Sequence, residues 1–249
     1  MKALILAAGY AVRLQPLTLE NPKPLLEIGE RKIIDRILDK VGRVKGVGRI
    51  YIVVNNKFFE HFKRWAKGSP LKGKIALVND GTDSNENRLG AIKDLELAIR
   101  GEGIDDDLLV IAGDNLFELD LAEFVKFAHG HADGVSVALY DIGDLEAAKR
   151  FGVVKLGPDG RIAEFEEKPL EPRSTLVSTG IYYFPRAKLP LVKEYATGKD
   201  KKLDAPGYYI SWMSKADKVH GFGFSEEWHD IGDLETYKRV DEEYKQKEK

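Results

Sequence analysis

Five apolar runs of strand length limit what this chain can fold into. Their apolar residues are continuous rather than alternating, which is typical of strands buried on both faces of a mainly parallel sheet. Between the runs, apolar residues recur with helical spacing, from Ile33 to Val44 and from Leu89 to Ile99. Strands that alternate with helices predict an α/β fold, with a Rossmann-like, mainly parallel sheet sandwiched by helices. The runs are ALILA (3–7), IYIVV (50–54), IALV (75–78), LLVIA (108–112) and VSVALY (135–140).

The pattern changes after residue 140, where apolar stretches shorten and turns become more frequent. FGVVKLG (151–157), RIAEFEE (161–167) and LVSTGIYYF (176–184) are typical of short strands. We expect them to form a smaller mixed β lobe over the sheet. Because no Ser/Gly-rich linker divides the chain, residues 1–249 are predicted to be one domain, with halves of about 1–140 and 141–249.

Composition excludes several classes of function. A net charge of −2 gives no reason to expect nucleic acid as a partner. No apolar run is long enough to cross a bilayer, and no signal-peptide pattern is present, so we expect no membrane partner and a cytoplasmic protein. The absence of cysteine excludes disulfides, thiolate metal sites and cysteine nucleophiles. Abundant Lys and Glu with little Gln and Met indicate a heat-adapted, thermophile-like composition.

Polar groups follow three of the predicted strands, where ligands bind in open α/β sheets. They are Gly9 with Arg13 after the first run, 79–81 after the third and 113–115 after the fourth. A nicotinamide nucleotide site is disfavoured, because it needs more glycines and an acidic residue after the second strand, where Asn55 and Asn56 stand. A Walker loop is also absent. These positions nevertheless predict a ligand site.

Lys23 stands between two prolines in NPKPLLEIG (21–29). Pro22 and Pro24 fix their own φ angles and favour extended conformations at the residues before them. Lys23 is therefore predicted to lie in a stiffened backbone, suited to a contact with phosphate. The alternative is a rigid surface turn with a solvated lysine, and Arg13 ten residues earlier favours the phosphate contact.

Five ordered motifs carry a resemblance to a known family. They are LAAGYAVRLQPLT with PKPL, then GDN, then FGVV with EFEEKP, then STGIYYF, and finally WHDIGD. Across nearly its full length the chain resembles the sugar-1-phosphate nucleotidyltransferases, and in particular the glucose-1-phosphate thymidylyltransferase-like members. The resemblance implies nucleotide transfer from a nucleoside triphosphate to a sugar 1-phosphate, with Mg²⁺ as cofactor and release of pyrophosphate.

The resemblance also implies roles for individual residues. Arg13 would hold the outer phosphates, Lys23 would meet the reacting α-phosphate, and Asp114 would complete the catalytic group. The remaining implied contacts are Leu6, Ala8, Gly9, Asn79 and Leu89 to the nucleotide; Gly152, Glu167, Lys168 and Ser178 to the sugar phosphate; and Asp114 and Asp230 to the metal.

The implied mechanism is a single in-line displacement, because a sugar phosphate is already anionic and needs no general base. dTTP or UTP and glucose 1-phosphate are the favoured substrates. Alternatives are another phospho-alcohol such as a phosphorylated polyol, CTP or GTP as donor, a non-catalytic nucleotide-sugar-binding homologue, and a subunit that acts through assembly. The oligomeric state is left open.

The chain departs from the family pattern at two places. Ala11 and Val12 stand where the family has Gly-Thr, so the hydroxyl of that threonine is missing. In the segment 79–92, Asn79 takes the place of a common Gln, and Asn87 or Arg88 the place of a Gly. The identity of the base is therefore left open. The alternative interpretation of this segment is an Asx-rich loop that caps the next helix.

Two stretches of the chain, DIGDLEAAKR (141–150) and DIGDLETYKR (230–239), are nearly identical and form a near-repeat. We interpret both as helix starts, with Asp144 and Asp233 as N-caps. Nothing else around the two stretches matches, so internal duplication is disfavoured.

Overall fold

The computed structural model describes residues 1–199 and 201–248. The predicted strands are confirmed, since each of the five apolar runs forms a strand whose ends lie within one residue of the predicted ones. The strands are β1 (Lys2–Leu6), β2 (Glu27–Ile28), β3 (Arg31–Lys32), β4 (Arg49–Val54), β5 (Ile75–Asn79), β6 (Leu108–Ala112), β7 (Asn115–Phe117), β8 (Val135–Asp141), β9 (Gly152–Leu156), β10 (Ile162–Glu167), β11 (Leu176–Phe184), β12 (Val219–Phe224) and β13 (Trp228–Asp230). The α-helices are α1 (Ile33–Arg43), α2 (Phe59–Gly68), α3 (Ala91–Gly101), α4 (Leu121–Gly130), α5 (Leu145–Ala148), α6 (Leu189–Thr197), α7 (Pro206–Ala216) and α8 (Leu234–Lys247).

One nine-stranded sheet organises the molecule. Its parallel part has the spatial order β5-β4-β1-β6, so the chain runs outward on one side of β1 and then returns to its other side. This reversal beside β1 is the switch point at which α/β sheets bind ligands. The Rossmann-like fold class predicted from the sequence is confirmed.

Both faces of the parallel strands are buried, which explains their continuous apolar runs. On one face Ile5 packs in a cluster with Ile34 and Ile37 of α1, and on the other Leu4 packs with Ile92 of α3. These side chains are at most 1% exposed. The two clusters hold the carboxyl ends of β1 and β6 in fixed positions.

The second half of the chain extends the same sheet. β11 lies antiparallel to β6 and also pairs with β8 and β9, while β12 lies parallel to β8. Two small antiparallel pairs, β2 with β3 and β7 with β13, lie outside this sheet. Among the described residues, no helix is long and apolar enough to cross a membrane.

Helix starts test the capping predictions. Asp144 and Asp233 cap α5 and α8, accepting hydrogen bonds at 2.8 Å from the N–H groups of Glu146 and Thr236, as predicted. The interpretation of 79–92 as an Asx-rich loop that caps the next helix is wrong, because α3 has Gly90 as its N-cap and no side-chain cap. Backbone carbonyls of 203–204 instead accept from the first N–H groups of α3.

Candidate active site

A cavity of about 460 Å³ opens at the carboxyl ends of β1 and β6. It gathers residues from both halves of the chain into one cleft. Of the residues predicted from the sequence, Asn79 and Leu89 are not part of its lining. Those that line it are Leu6, Ala8, Gly9, Arg13, Lys23, Asp114, Gly152, Glu167, Lys168, Ser178 and Asp230.

The loop after β1 follows a path that normally requires glycine. Ala11 has φ 46° and ψ 45°, in the left-handed region, which costs an L-residue about 1–2 kcal/mol. Two hydrogen bonds of 2.9 Å fix the loop: Thr18 donates its hydroxyl to the Ala11 carbonyl, and Asn55 donates its amide to the Ala8 carbonyl. The loop therefore keeps this backbone conformation with alanine in place. Val12 is 47% exposed and offers no hydroxyl.

Lys23 and Asp114 form the ion pair at the centre of the cleft. Lys23 is only 6% exposed, and its Nζ donates to Asp114 Oδ2 at 2.9 Å. Burial raises the pKa of Asp114, but the charges of Lys23 and Arg13 outweigh it and hold that pKa below its usual value. The expectation that Lys23 is extended is wrong, because the residue begins a short 3₁₀ turn, Lys23–Leu25. That turn still fixes the lysine backbone.

Asp230 is brought beside Asp114 by the pairing of β13 with β7, which sets Asp230 opposite Asn115. Burial, and then the charge of Asp114, raise the pKa of Asp230. Two neighbouring carboxylates repel each other unless a cation lies between them. Hard oxygen donors of this kind suit Mg²⁺, so Asp114 and Asp230 fit the metal that the family resemblance implies.

The opposite wall carries Glu167 on β10 and Lys168 directly after it. The Glu167 side chain is 8% exposed, and burial raises its pKa more than the charge of Lys168 lowers it. Two glycines make room for this carboxylate: a Cβ atom would lie 3.1 Å from Oε2 at Gly152 and 1.7 Å from it at Gly207. The wall thus presents a buried hydrogen-bond acceptor.

Lys168 has an uncommon backbone conformation, with φ 51°. Its N–H donates to the Phe151 carbonyl at 2.9 Å, which ties β10 to the residue before β9. Strained torsions of non-glycine residues cluster at functional sites. Nearby, Ser178 donates its hydroxyl to the Tyr182 hydroxyl at 3.4 Å.

A second cavity of about 470 Å³ adjoins the first and shares Arg13, Lys168 and Asp230 with it. The two halves of the near-repeat form much of its lining, which the sequence interpretation as two helix starts did not anticipate. Its cationic side chains are Arg13, Lys149, Arg150, Lys168 and Arg239. We call it the anion cavity after these cations; Asp230 and Asp233 also line it, and it meets the cleft at Arg13, on the loop after β1.

Two predicted contacts lie away from the cavity lining. Asn79 is exposed, its Oδ1 accepts from the Gly81 N–H and its amide donates to Asn56, both at 2.8 Å. Leu89 is half-buried outside the lining. Arg88 does line the cavity, and its guanidinium binds Asp204 through bonds of 2.8 and 2.9 Å. These polar side chains of the loop are therefore already engaged in contacts within the protein.

The far end of the cleft carries residues that the sequence reasoning missed: Tyr10, Asp80 and Asp94. Thr82 donates its hydroxyl to Asp80 at 2.8 Å, and its Oγ1 lies 2.9 Å from the Tyr10 hydroxyl. Asp94 is 6% exposed on the first turn of α3. The only sequence signal for it was an acidic residue inside the apolar stripe of a helix.

One further group of metal-ligating side chains lies among the described residues, formed by Glu227, His229 and Glu243. Lys247 and Arg239 already bind the two glutamates. Because these cationic side chains already neutralise the glutamates, the group is a weaker candidate for a metal site than the Asp114–Asp230 pair.

The fold is that of an α/β protein with a cleft at the switch point of its sheet and a cation-lined cavity beside it. A family model described as nucleotidyl transferase matches residues 2–247. The chain belongs to this family, which confirms the resemblance found in the sequence.

Several characterised proteins are similar to the chain. The bifunctional protein GlmU of Methanocaldococcus jannaschii is 33% identical over 93% of this chain and 51% of its own length. A glucose-1-phosphate adenylyltransferase of Geobacter metallireducens is 27% identical over 94% of this chain and 63% of its own length. The chain therefore spans between half and two thirds of the length of these relatives.

Solved structures share the whole fold. A Bacillus anthracis protein described as a glucose-1-phosphate thymidylyltransferase, in complex with sucrose, has a TM-score of 0.84 and 26% identity, covering 98% of this chain and 95% of its own. A UDP-glucose pyrophosphorylase without ligand has a TM-score of 0.82 and 19% identity, covering 100% and 99%. The latter likeness concerns the fold alone.

Proposed function

We propose that the protein transfers a nucleoside monophosphate from a nucleoside triphosphate to a sugar 1-phosphate and releases pyrophosphate. The observation that carries the proposal is the arrangement of one cleft. The Lys23–Asp114 pair and Asp230 lie between the loop after β1 and the wall with Glu167 and Lys168. The similarity of the chain to the nucleotidyl transferase family and to a glucose-1-phosphate adenylyltransferase supports the same reaction.

Each cation of the cleft binds a different phosphate group of the two substrates. Lys23 is positioned by Asp114 to meet the α-phosphate, while Lys168 holds the phosphate of the sugar. Arg13 lies at the junction with the anion cavity, so the outer phosphates extend towards Arg150 and Arg239. Glu167 accepts a hydrogen bond from a sugar hydroxyl.

These contacts suffice for an in-line displacement. The acceptor phosphate is an anion and needs no base, so the protein must hold two anions together and stabilise the departing charge. Mg²⁺ bound by Asp114 and Asp230 would supply charge neutralisation at the phosphates. Arg13 and the anion cavity hold the departing pyrophosphate.

For the substrates, we propose dTTP or UTP as donor and glucose 1-phosphate as acceptor. The thymidylyltransferase structure, at 26% identity, supports this choice, whereas the adenylyltransferase relative has a different base. The purified protein is incubated with Mg²⁺ and each of five nucleoside triphosphates against several sugar 1-phosphates and one phosphorylated polyol. Pyrophosphate release is measured, and we expect it with dTTP or UTP and glucose 1-phosphate.

The variant Asp114→Asn should reduce turnover at least about a hundredfold. Asp159→Asn, at an exposed turn, is the matched control and should keep full activity. No release in any combination, with triphosphate still bound, would refute the proposal in favour of a non-catalytic binding homologue. Release with the polyol phosphate alone would overturn the proposed acceptor.

A further inference from the structure

Asp94 is a buried carboxyl group that the reaction described above does not use. It lines the cleft and is 6% exposed, yet its Oδ1 has no hydrogen-bond partner among the described residues. An enclosed polar atom without a partner is costly. Its position in a ligand cavity indicates that a bound molecule supplies the partner.

The surroundings of Asp94 show which part of a nucleotide lies there. Tyr10 and Asp80 line this end, and the Thr82 hydroxyl is hydrogen-bonded to both. Burial, and then the charge of Asp83, which is exposed, raise the pKa of Asp80. Arg88 is the cation that lines this end within the described chain, and Asp204 occupies its guanidinium at two points. The negative charge at this end of the cleft repels phosphate groups, so the base is the part of the nucleotide that fits there.

Burial, followed by the charge of Asp80, raises the pKa of Asp94 to about 8. At neutral pH the group is therefore mostly protonated, and it offers one O–H donor and one carbonyl acceptor. An amide side chain offers the same pair. Thymine and uracil present a complementary pair on one edge, the N3–H donor beside the O4 acceptor.

We propose that Asp94 binds the edge of a thymine or uracil base as a neutral carboxyl group, donating to O4 and accepting from N3–H. This inference rests on the proposed function and names a residue that selects its donor substrate. An ionised Asp94 loses the donor and repels O4. It would instead suit a base with two adjacent donors, such as guanine with N1–H and its 2-amino group.

The test measures the KM of dTTP or UTP between pH 7 and pH 9. If only the neutral form binds, the competent fraction falls about tenfold over this range, and KM rises about tenfold. The KM of the sugar 1-phosphate should stay constant. Asp94→Asn keeps a donor and an acceptor but does not titrate, so its KM should remain flat over the same range.

Two further variants sharpen the result. Asp94→Leu has neither donor nor acceptor and should raise the KM of the triphosphate about tenfold or more at pH 7. Glu96→Gln changes a carboxyl group on the same helix, outside the cavity lining, and should behave like the wild type. An unchanged KM in Asp94→Leu, a rise with pH that persists in Asp94→Asn, or tighter binding of GTP than of dTTP or UTP at pH 7 would each overturn the inference.

Direct binding separates this inference from the proposed function. Titration calorimetry with dTTP or UTP, without a sugar phosphate, reports the contact even if turnover is absent. Binding that weakens in Asp94→Leu and weakens with pH only in the wild type supports the inference whatever the reaction. Normal binding and turnover in Asp94→Leu would refute the inference and leave the proposed function intact.

Discussion

Replacing Gly207 with alanine should separate sugar binding from stability. Gly207 is the second residue of α7, and a Cβ atom there would lie 1.7 Å from Glu167 Oε2 and 2.9 Å from a ring carbon of Phe165. The first of these atoms ends a flexible side chain, so the carboxylate can rotate away without disturbing the backbone. Gly207→Ala is therefore expected to displace Glu167 and to leave the fold intact.

The size of the effect follows from the contact that is lost. A hydrogen bond to a charged group contributes about 1.5–3 kcal/mol, which corresponds to a rise of roughly 10- to 150-fold in the KM of the sugar 1-phosphate. The KM of the nucleoside triphosphate should change little. Alanine is favoured over glycine inside a helix by up to about 1 kcal/mol, which offsets part of the cost of moving the buried Phe165 ring, so Tm should change by no more than roughly 4 °C.

Steady-state kinetics with each substrate varied in turn, together with thermal unfolding, measure both effects. Glu167→Leu, which has no acceptor, should reproduce the rise in KM, and Gly223→Ala, where a Cβ atom meets nothing within 4 Å, is the matched control. If Gly207→Ala binds the sugar 1-phosphate normally, Glu167 does not contact the sugar and the reasoning fails. A larger loss of stability that accompanies the rise in KM would show that the helix, rather than the carboxylate, has moved.

Three other changes test the cleft and its surroundings. Arg150→Gln should raise the KM of pyrophosphate in the reverse reaction about tenfold through loss of a charge-assisted contact in the anion cavity, whereas Arg100→Gln, on an exposed helix face, should not. Val12→Thr should lower the KM of the triphosphate by roughly 2- to 10-fold, because a neutral hydrogen bond contributes about 0.5–1.5 kcal/mol, and Val12→Ala should have no such effect. Lys218 and then His220 lower the pKa of Asp133 to about 2, below that of an unfolded aspartate. This stabilisation is therefore present above about pH 4 and is lost as the pH falls towards 2, so the difference in Tm between wild type and Asp133→Asn should shrink over that interval.

Much of the fold was predictable because it depends on local patterns. The strands from β1 to β8 that form continuous apolar runs were found to within one residue, since burial on both faces leaves a signal at every position. The start of α3 was predicted two residues too early. Its first N–H groups bind carbonyls at 203–204, more than 100 residues away, and such a contact leaves no trace in the local sequence.

The cavity lining was predictable where a motif carries both the residue and its spacing, as for Lys23 and Asp114. Arg150 and Asp94 were missed for different reasons. Arg150 reaches the anion cavity through a near-repeat that has a simpler explanation as two capped helices. Asp94 is defined by burial and by an enclosed oxygen, and both depend on how α3 packs against the sheet.

The continuity of the large sheet limits how the cleft can enclose its substrates. β11 is hydrogen-bonded to β6 of the first half and to β8 and β9 of the second. A hinge between the two halves would have to break this backbone ladder, at the cost of several buried hydrogen bonds. Closure is therefore expected to come from the loop at the rim that follows β5, because two hydrogen bonds fix the loop after β1, while the two walls keep their spacing. With the walls held at a constant distance, the width of the cleft limits which substrates can bind.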